Sequence, residues 1–316
     1  MTALRRLATP LALLLVVLGF SIALPETFPT ARNLLNLSQQ VAMLAVVAFA
    51  MTVVMAQGDF DLSVGSMASL AGVVAATLWA GGWSLGAGIV AALAAGLLGG
   101  LLNGLLVAVV GILPFVATLG TLTMFSGAAF LVSDGRTVFG ADIPEAVGLF
   151  ARGGLSLGPV TVPALTLLAL AAFLLAWLAL GHTSWGRRLL AMGGNMEAAR
   201  LAGLPVRSLR LSAFLVTGLG AAVAGLMLVS RVASANPTQG SGLMLDAIAA
   251  VFLGMTASEE AEPSAGGTAL GVALLAVLDN GLTQLSVDSY LREVLVGAII
   301  LLAVGSARLG LRGGRH

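Results

Sequence analysis

Ten apolar runs, each near the ~20 residues that a helix rising about 1.5 Å per residue needs to cross a hydrocarbon core, constrain this chain more than any other feature. They fall at about 7–24, 38–57, 62–80, 84–107, 115–133, 162–181, 211–230, 243–257, 266–285 and 291–306. Lipid offers backbone groups no hydrogen-bond partner, so the runs are expected to be helices. A barrel would show shorter, alternating strands. The expected fold is an all-α polytopic membrane protein of about ten transmembrane helices. The eighth run is short, and re-entrant backbone is an open alternative at 236–250, as it is at 58–66. Composition agrees: 59% of the 316 residues are hydrophobic and 9% charged, against about 25% charged in soluble domains.

All fifteen basic residues are Arg. A phosphate-binding P-loop needs a Lys to reach the β- and γ-phosphates, so this chain cannot build one. If ATP drives the protein, another chain hydrolyses it. With no Cys and two His, His182 and His316, there is no thiolate chemistry and no His-rich metal site. No catalytic residue, metal or cofactor is expected, and a net charge of +1 gives no reason to expect nucleic acid.

The Arg residues set the orientation through the positive-inside rule. With the N-terminus inside, ten lie in inner segments: Arg5, Arg6, Arg187, Arg188, Arg200, Arg207, Arg210, Arg308, Arg312 and Arg315. Arg32, Arg136, Arg152, Arg231 and Arg292 lie outside. Ten crossings place both termini and the 182–210 loop in the cytoplasm and the 134–161 loop in the periplasm. The first run, ending at Ser21-Ile22-Ala23, competes with a cleaved signal peptide; about 18 apolar residues are long for one, and a retained helix is expected.

A weak internal repeat relates residues 96–124 to 270–298 and pairs Asn103-Gly104 with Asn280-Gly281. Five spans per half make such halves inverted, an architecture recurrent in transporters. The domain expectation is one transmembrane unit over 1–316 with halves 1–133 and 162–306. Chance likeness between two Gly/Leu/Ala-rich helices is the competing account.

Gly58-Asp59-Phe60-Asp61-Leu62-Ser63 interrupts two apolar runs with two carboxylates. A charge at the bilayer centre costs about 2.5–3.5 kcal/mol, so these groups must reach water, a helix N-terminus or a pore. Asp61 is a good N-cap with Ser63 in the first turn; capping alone competes with a place on a solute pathway. Asp246 and Asp279 lie near or within apolar runs, with Asn103, Asn280 and Gln284 as uncharged polar groups. The pathway candidates are Asp59, Asp61, Ser63, Asn103, Asp246 and Asn280. Interhelical hydrogen bonding is the plainer account of each Asn. Gly96, Gly100 and Gly104 form a close-packing row for another helix, within a bundle or a dimer.

In the 182–210 loop, Asn195 is placed to cap a short helix over Met196–Ala202, with Glu197 near its positive end. Gly203 can end it and Pro205 prevents its return. Small Ala side chains let another protein approach closely. Positive-inside charge alone explains the Arg residues but not the capped helix. Glu259-Glu260-Ala261-Glu262 forms an acidic inner turn, most simply a solvated one.

The segments GDFDLSVGS at 58–66, PFVATLGTLTMFSGAAFL at 114–131 followed by DGRTV, GRRLLAMGGNMEAARLAGLPV at 186–206, LDAIAAVFLG at 245–254 and NGL at 280–282 resemble the permease subunits of bacterial ABC importers for ribose, xylose and related monosaccharides. The resemblance covers about Asn33 to Val304, and DLSVGS looks like the sugar branch rather than the branched-chain amino-acid branch. It implies a multi-pass subunit of the bacterial inner membrane. Two permease subunits, alike or different, would form the channel. A periplasmic binding protein would deliver sugar, and a separate cytoplasmic ATPase would drive alternating access. The ATPase contact would fall on Gly193, Gly194, Asn195, Ala198, Ala199, Arg200 and Gly203, with Glu197 among them from the capped-helix reading. One departure is Gly254-Met255-Thr256-Ala257-Ser258-Glu259-Glu260 where the family often has a Gly-rich run. The alternatives are a self-sufficient secondary transporter, needing coupling acids such as Asp59, Asp61, Asp246 and Asp279, and an intramembrane enzyme, for which no motif is present.

Overall fold

The computed structural model describes residues 8–301 other than 159, 259, 260, 292, 296, 299 and 300. Arg5, Arg6, Glu259, Glu260, Arg292, Arg308, Arg312, Arg315, His316 and most of the 291–306 run lie outside the described residues.

Nine of the apolar runs coincide with helices: α1 Ala8–Ala23, α2 Ala31–Ala56, α3 Val64–Ala80, α4 Leu85–Leu105, α5 Pro114–Ser133, α7 Ala164–His182, α10 Val206–Val232, α11 Leu243–Met255 and α12 Ala265–Gln284. Six are long and apolar enough to cross a membrane, counting α4 with the π-helical turn Leu106–Val110 that extends it; α1, α3 and α11 are shorter. Local chemistry sets several ends. Thr30 caps α2 by accepting from the Asn33 amide at 3.2 Å, and Ser84 caps α4 through Ala87. Pro114 opens α5, where its missing N–H costs nothing.

Among the described residues the chain is not purely helical. The 134–161 segment, expected as a loop, contains α6, Glu145–Arg152, and strands. β1, Val138–Phe139, pairs antiparallel with β4, Ser234–Ala235, and β2, Gly154–Leu157, pairs with β3, Val160–Pro163. α6 is pinned to α2 by Gln39, whose Nε2 donates to the Ala151 carbonyl at 2.7 Å. The 182–210 loop contains two helices rather than one: α8, Ser184–Gly194, precedes α9, Met196–Leu201.

α2 forms the central pillar. Every residue from Ala42 to Ala56 except the half-buried Leu44 is buried, as expected of a helix apolar on all sides, and α7, α10, α11 and α12 pack around it. α10 is the second pillar, against α2, α3 and α4. Its glycines allow this. Gly218 lies so close to Gly96 and Gly100 that a Cβ would meet their backbone, and Gly225 stands likewise against Ala68 and Gly72. The Gly96-Gly100-Gly104 row therefore faces α10 of the same chain, meeting Gly218, Phe214 and Leu211 in turn. Helices from the two sequence halves thus interlock, and the buried core is continuous across them.

Candidate functional site

The break between α2 and α3 is built from short-range rules and closed by long-range partners. Gly58 has φ +87°, a conformation that spares only glycine, and turns the chain after Gln57. Gln57 Nε2 donates to Asp59 Oδ2 at 3.0 Å. Arg210, four residues into α10, then grips Asp59 with both ends of its fork: Nε to Oδ2 at 2.8 Å and Nη2 to Oδ1 at 2.7 Å. Such bidentate pairing combines charge with planar fit.

Asp61 sits in a second buried network. Its Oδ1 accepts from the Ser63 amide at 3.0 Å, the Ser63 hydroxyl at 2.6 Å and Asn103 Nδ2 at 3.3 Å; its Oδ2 accepts from Thr217 at 2.7 Å. Asn103 also donates to Ser63 Oγ at 2.8 Å and accepts from Thr121 at 2.6 Å. The network ties the start of α3 to α4, α5 and α10. Ser63, not Asp61, occupies the N-cap position, and it makes no side-chain cap bond. Asp61 holds the Ser63 amide from two residues earlier.

With 3% and 1% of their surfaces exposed, Asp59 and Asp61 are buried in the subunit. They are held by partners from distant segments. The Arg210 ion pair gives Asp59 a source of compensation that the expectation of water, a helix end or a pore did not include. Reading Arg210 with the other inner Arg residues missed this. Its place inside α10 rather than before it was the available signal.

Asp61→Asn is expected to keep the fold, with thermal unfolding in detergent shifted by less than about 1 kcal/mol. The new amide can donate to Thr217, whose hydroxyl already reaches the Phe214 carbonyl at 2.9 Å. Asp61→Leu strands the Ser63 and Asn103 donors and is expected to cost about 1–3 kcal/mol per unpaired group. Slowed transport in a well-folded Asn variant would then report the charge itself.

The α8–α9 segment adjoins the start of this break. Thr183 caps α8 by accepting from the Gly186 amide at 3.1 Å. Leu189 and Met192 bury one face, and Trp185 Nε1 donates to Ser212 of α10 at 2.9 Å. Asn195 ends α8 and caps α9 by accepting from the Ala198 amide at 2.9 Å. Gly203, at φ +81°, closes it. The ATPase-contact candidates do not share one surface. Gly193 is exposed but packs one side on the Ala56–Gln57 backbone, and Ala199 is buried at 6% exposure. Gly194, Asn195, Glu197, Ala198, Arg200 and Gly203 face outward, with Glu197 and Arg200 paired at 2.7 Å. Leu201, 79% exposed on α9, is an apolar knob that the sequence reading missed.

Asp246 and Asn280 lie apart from these clusters. Asn280 exchanges hydrogen bonds with Asn33, at 3.0 and 3.1 Å, and accepts from Gln284 at 2.8 Å; it joins α12 to the start of α2. Asn103, which the expected repeat would pair with it, sits in a quite different, fully buried setting. Asp246 borders a cavity of about 290 Å³ with Gln40, Arg231 and Asp279, between the start of α2, the ends of α10 and α12 and the start of α11. The six pathway candidates therefore divide between a buried cluster beside α8 and two places toward the opposite end.

Residues 33–304 match the family described as branched-chain amino acid transport system / permease component. The ribose import permease protein of Bacillus subtilis strain 168 is 39% identical over 300 residues, covering 95% of this chain and 92% of that protein. The ribose import permease protein of Escherichia coli K12 is 37% identical over 291 residues, covering 92% and 90%. The xylose transport system permease protein of the same strain is 32% identical over a 354-residue alignment, covering 93% and 89%. No solved structure matches the chain. A family match through most of the sequence, with relatives similar nearly end to end, makes the conclusion direct: this protein belongs to the branched-chain amino acid transport system / permease component family, alongside the ribose and xylose permeases.

Proposed function

We propose that the chain is the membrane-spanning subunit of an ATP-binding-cassette importer that passes a monosaccharide, pentose- or hexose-like, across the inner membrane. The carrying observation is the exposed α8–α9 segment on a chain whose relatives are ribose and xylose permeases. In this reading the chain makes ten crossings in two inverted halves, with both termini and α8–α9 in the cytoplasm. A separate ATPase docks on Gly194, Asn195, Glu197, Ala198, Arg200 and Gly203, with Leu201 as its apolar contact. Gly193 and Ala199 carry the movement inward, since both pack on the bundle. A binding protein delivers sugar to the opposite face, and a second permease subunit completes the conduit. Asp59, Asp61, Ser63 and Asn103 belong to the moving frame around the path, while Asp246 sits at its outer mouth.

The test is reconstitution in liposomes with candidate ATPase and binding-protein partners and a panel of labelled monosaccharides. ATP-dependent uptake of at least one sugar is expected. Uptake driven by a proton or sodium gradient without the ATPase would instead support a secondary transporter.

A further inference from the structure

Two interruptions meet halfway along the bundle. One is the 57–63 break; the other is the 236–242 segment between β4 and α11. The second segment meets the first turn of α3, just past the break, at Gly65 and Gly240, where a Cβ on either residue would run into the carbonyl of the other. Gly240 N–H donates to Ser69 Oγ at 2.8 Å and fixes the crossing. Both segments carry Gly-Ser at this point, Gly65-Ser66 and Gly240-Ser241. The helices that follow, α3 and α11, both start without a side-chain cap.

The depth follows from α10. Thr217, eleven residues in, bonds Asp61, and Gly225, nineteen in, packs on Ala68 and Gly72. The crossing therefore lies roughly 16 to 28 Å along a helix of about 40 Å. Irregular backbone at such depth is tolerated where it lines a cavity, and paired interruptions in two halves mark binding sites in transporters.

A groove of about 120 Å³ opens beside the crossing, lined by Ser66, Ser126, Thr238 and Ser241 over an apolar floor of Leu122 and Met244. Among the described residues no charged one lines it. Hydroxyls in apolar surroundings ordinarily turn back onto their own helix, as the buried Thr52, Thr118 and Ser133 do here. The hydroxyls of Ser126 and Ser241 have no partner among the described residues. An unmade hydrogen bond is costly in apolar surroundings, so this wall faces water or a polar solute.

We propose that this groove is one wall of the site that holds a neutral, polyhydroxylated solute in passage, its hydroxyls meeting those of Ser66, Ser126, Thr238 and Ser241 and its C–H face lying on Leu122 and Met244. The proposal rests on the import reading above and deepens it. It is distinct from the cavity at Asp246, whose lining includes charged side chains.

The chain has no native cysteine, so Ser126→Cys and Ser241→Cys each give this subunit a single thiol. In the reconstituted complete transporter, a charged methanethiosulfonate is expected to label both. D-ribose or D-xylose, whichever is transported, should slow that labelling, and L-leucine should not. The double variant Ser126→Ala/Ser241→Ala should raise the KM for uptake about tenfold, the loss of two modest hydrogen bonds, with the maximal rate and ATPase activity kept. Sugar uptake with unprotected thiols and an unchanged KM overturns the groove while leaving the import reading intact. Protection by leucine overturns the solute class. A wild-type complex that takes up no sugar overturns the import reading, and the groove's occupant falls with it.

Discussion

Arg210→Ala is expected to destabilise the protein by about 3–5 kcal/mol, because it leaves the Asp59 carboxylate buried without its counter-ion. The carboxylate is 3% exposed and loses both arms of the guanidinium fork, keeping only the Gln57 amide as a side-chain donor. The double variant Asp59→Ala/Arg210→Ala removes both charges and should be distinctly more stable than Arg210→Ala alone, since a missing pair costs less than a stranded ion. Arg210→Lys keeps the charge but cannot reproduce the fork, and should fall between wild type and Arg210→Ala. Thermal unfolding in detergent measures all three. Equal losses for the single and double alanine variants would mean that helix-end packing, not ion pairing, is what Arg210 contributes.

The second large effect is on coupling. Ala198→Trp is expected to abolish ATP-driven uptake while leaving membrane insertion and the unfolding temperature close to wild type. Ala198 faces outward on α9, so a bulky ring there obstructs an approaching protein without touching the core. Ala199→Trp makes the contrast. Ala199 is 6% exposed and belongs to the buried core, so the same ring overpacks the bundle and should lower stability by about 1–3 kcal/mol or more. Uptake, ATPase activity and unfolding measured on both variants separate the two outcomes. Undiminished uptake in a folded Ala198→Trp protein would remove α9 from the docking surface.

The contrast between these neighbouring alanines illustrates what could be read in advance. The turn at Asn195, the stop at Gly203 and the helix between them follow from capping chemistry within a few residues, and all three are legible in the sequence. Which alanine faces a partner depends on how α9 rolls against the core, and the string of letters does not carry that. α8 went unread because GRRLLAM has too few apolar residues to stand out beside the membrane runs, although Leu189 and Met192 form its buried edge. The Gly96-Gly100-Gly104 row was legible as a close-packing face. That its partner is Gly218 of the same chain, and not a second subunit, was not.

Lipid exposure makes long apolar runs obligatory, so the amino-acid order alone determines nine of the helices, the interruption at Gly58–Ser63 and the caps around the inner segment. Each depends on neighbours a few positions away. Tertiary structure alone decided that Asp59 would find Arg210 across 151 positions, that Asp61 would gather donors from α4 and α10, and that Gly65 would meet Gly240 beside a hydroxyl-lined groove. The first two depend on α10 packing beside α3 and α4, the third on the 236–242 segment folding onto α3. A buried polar group takes whichever partner packing brings to it, and sequence spacing does not encode that choice.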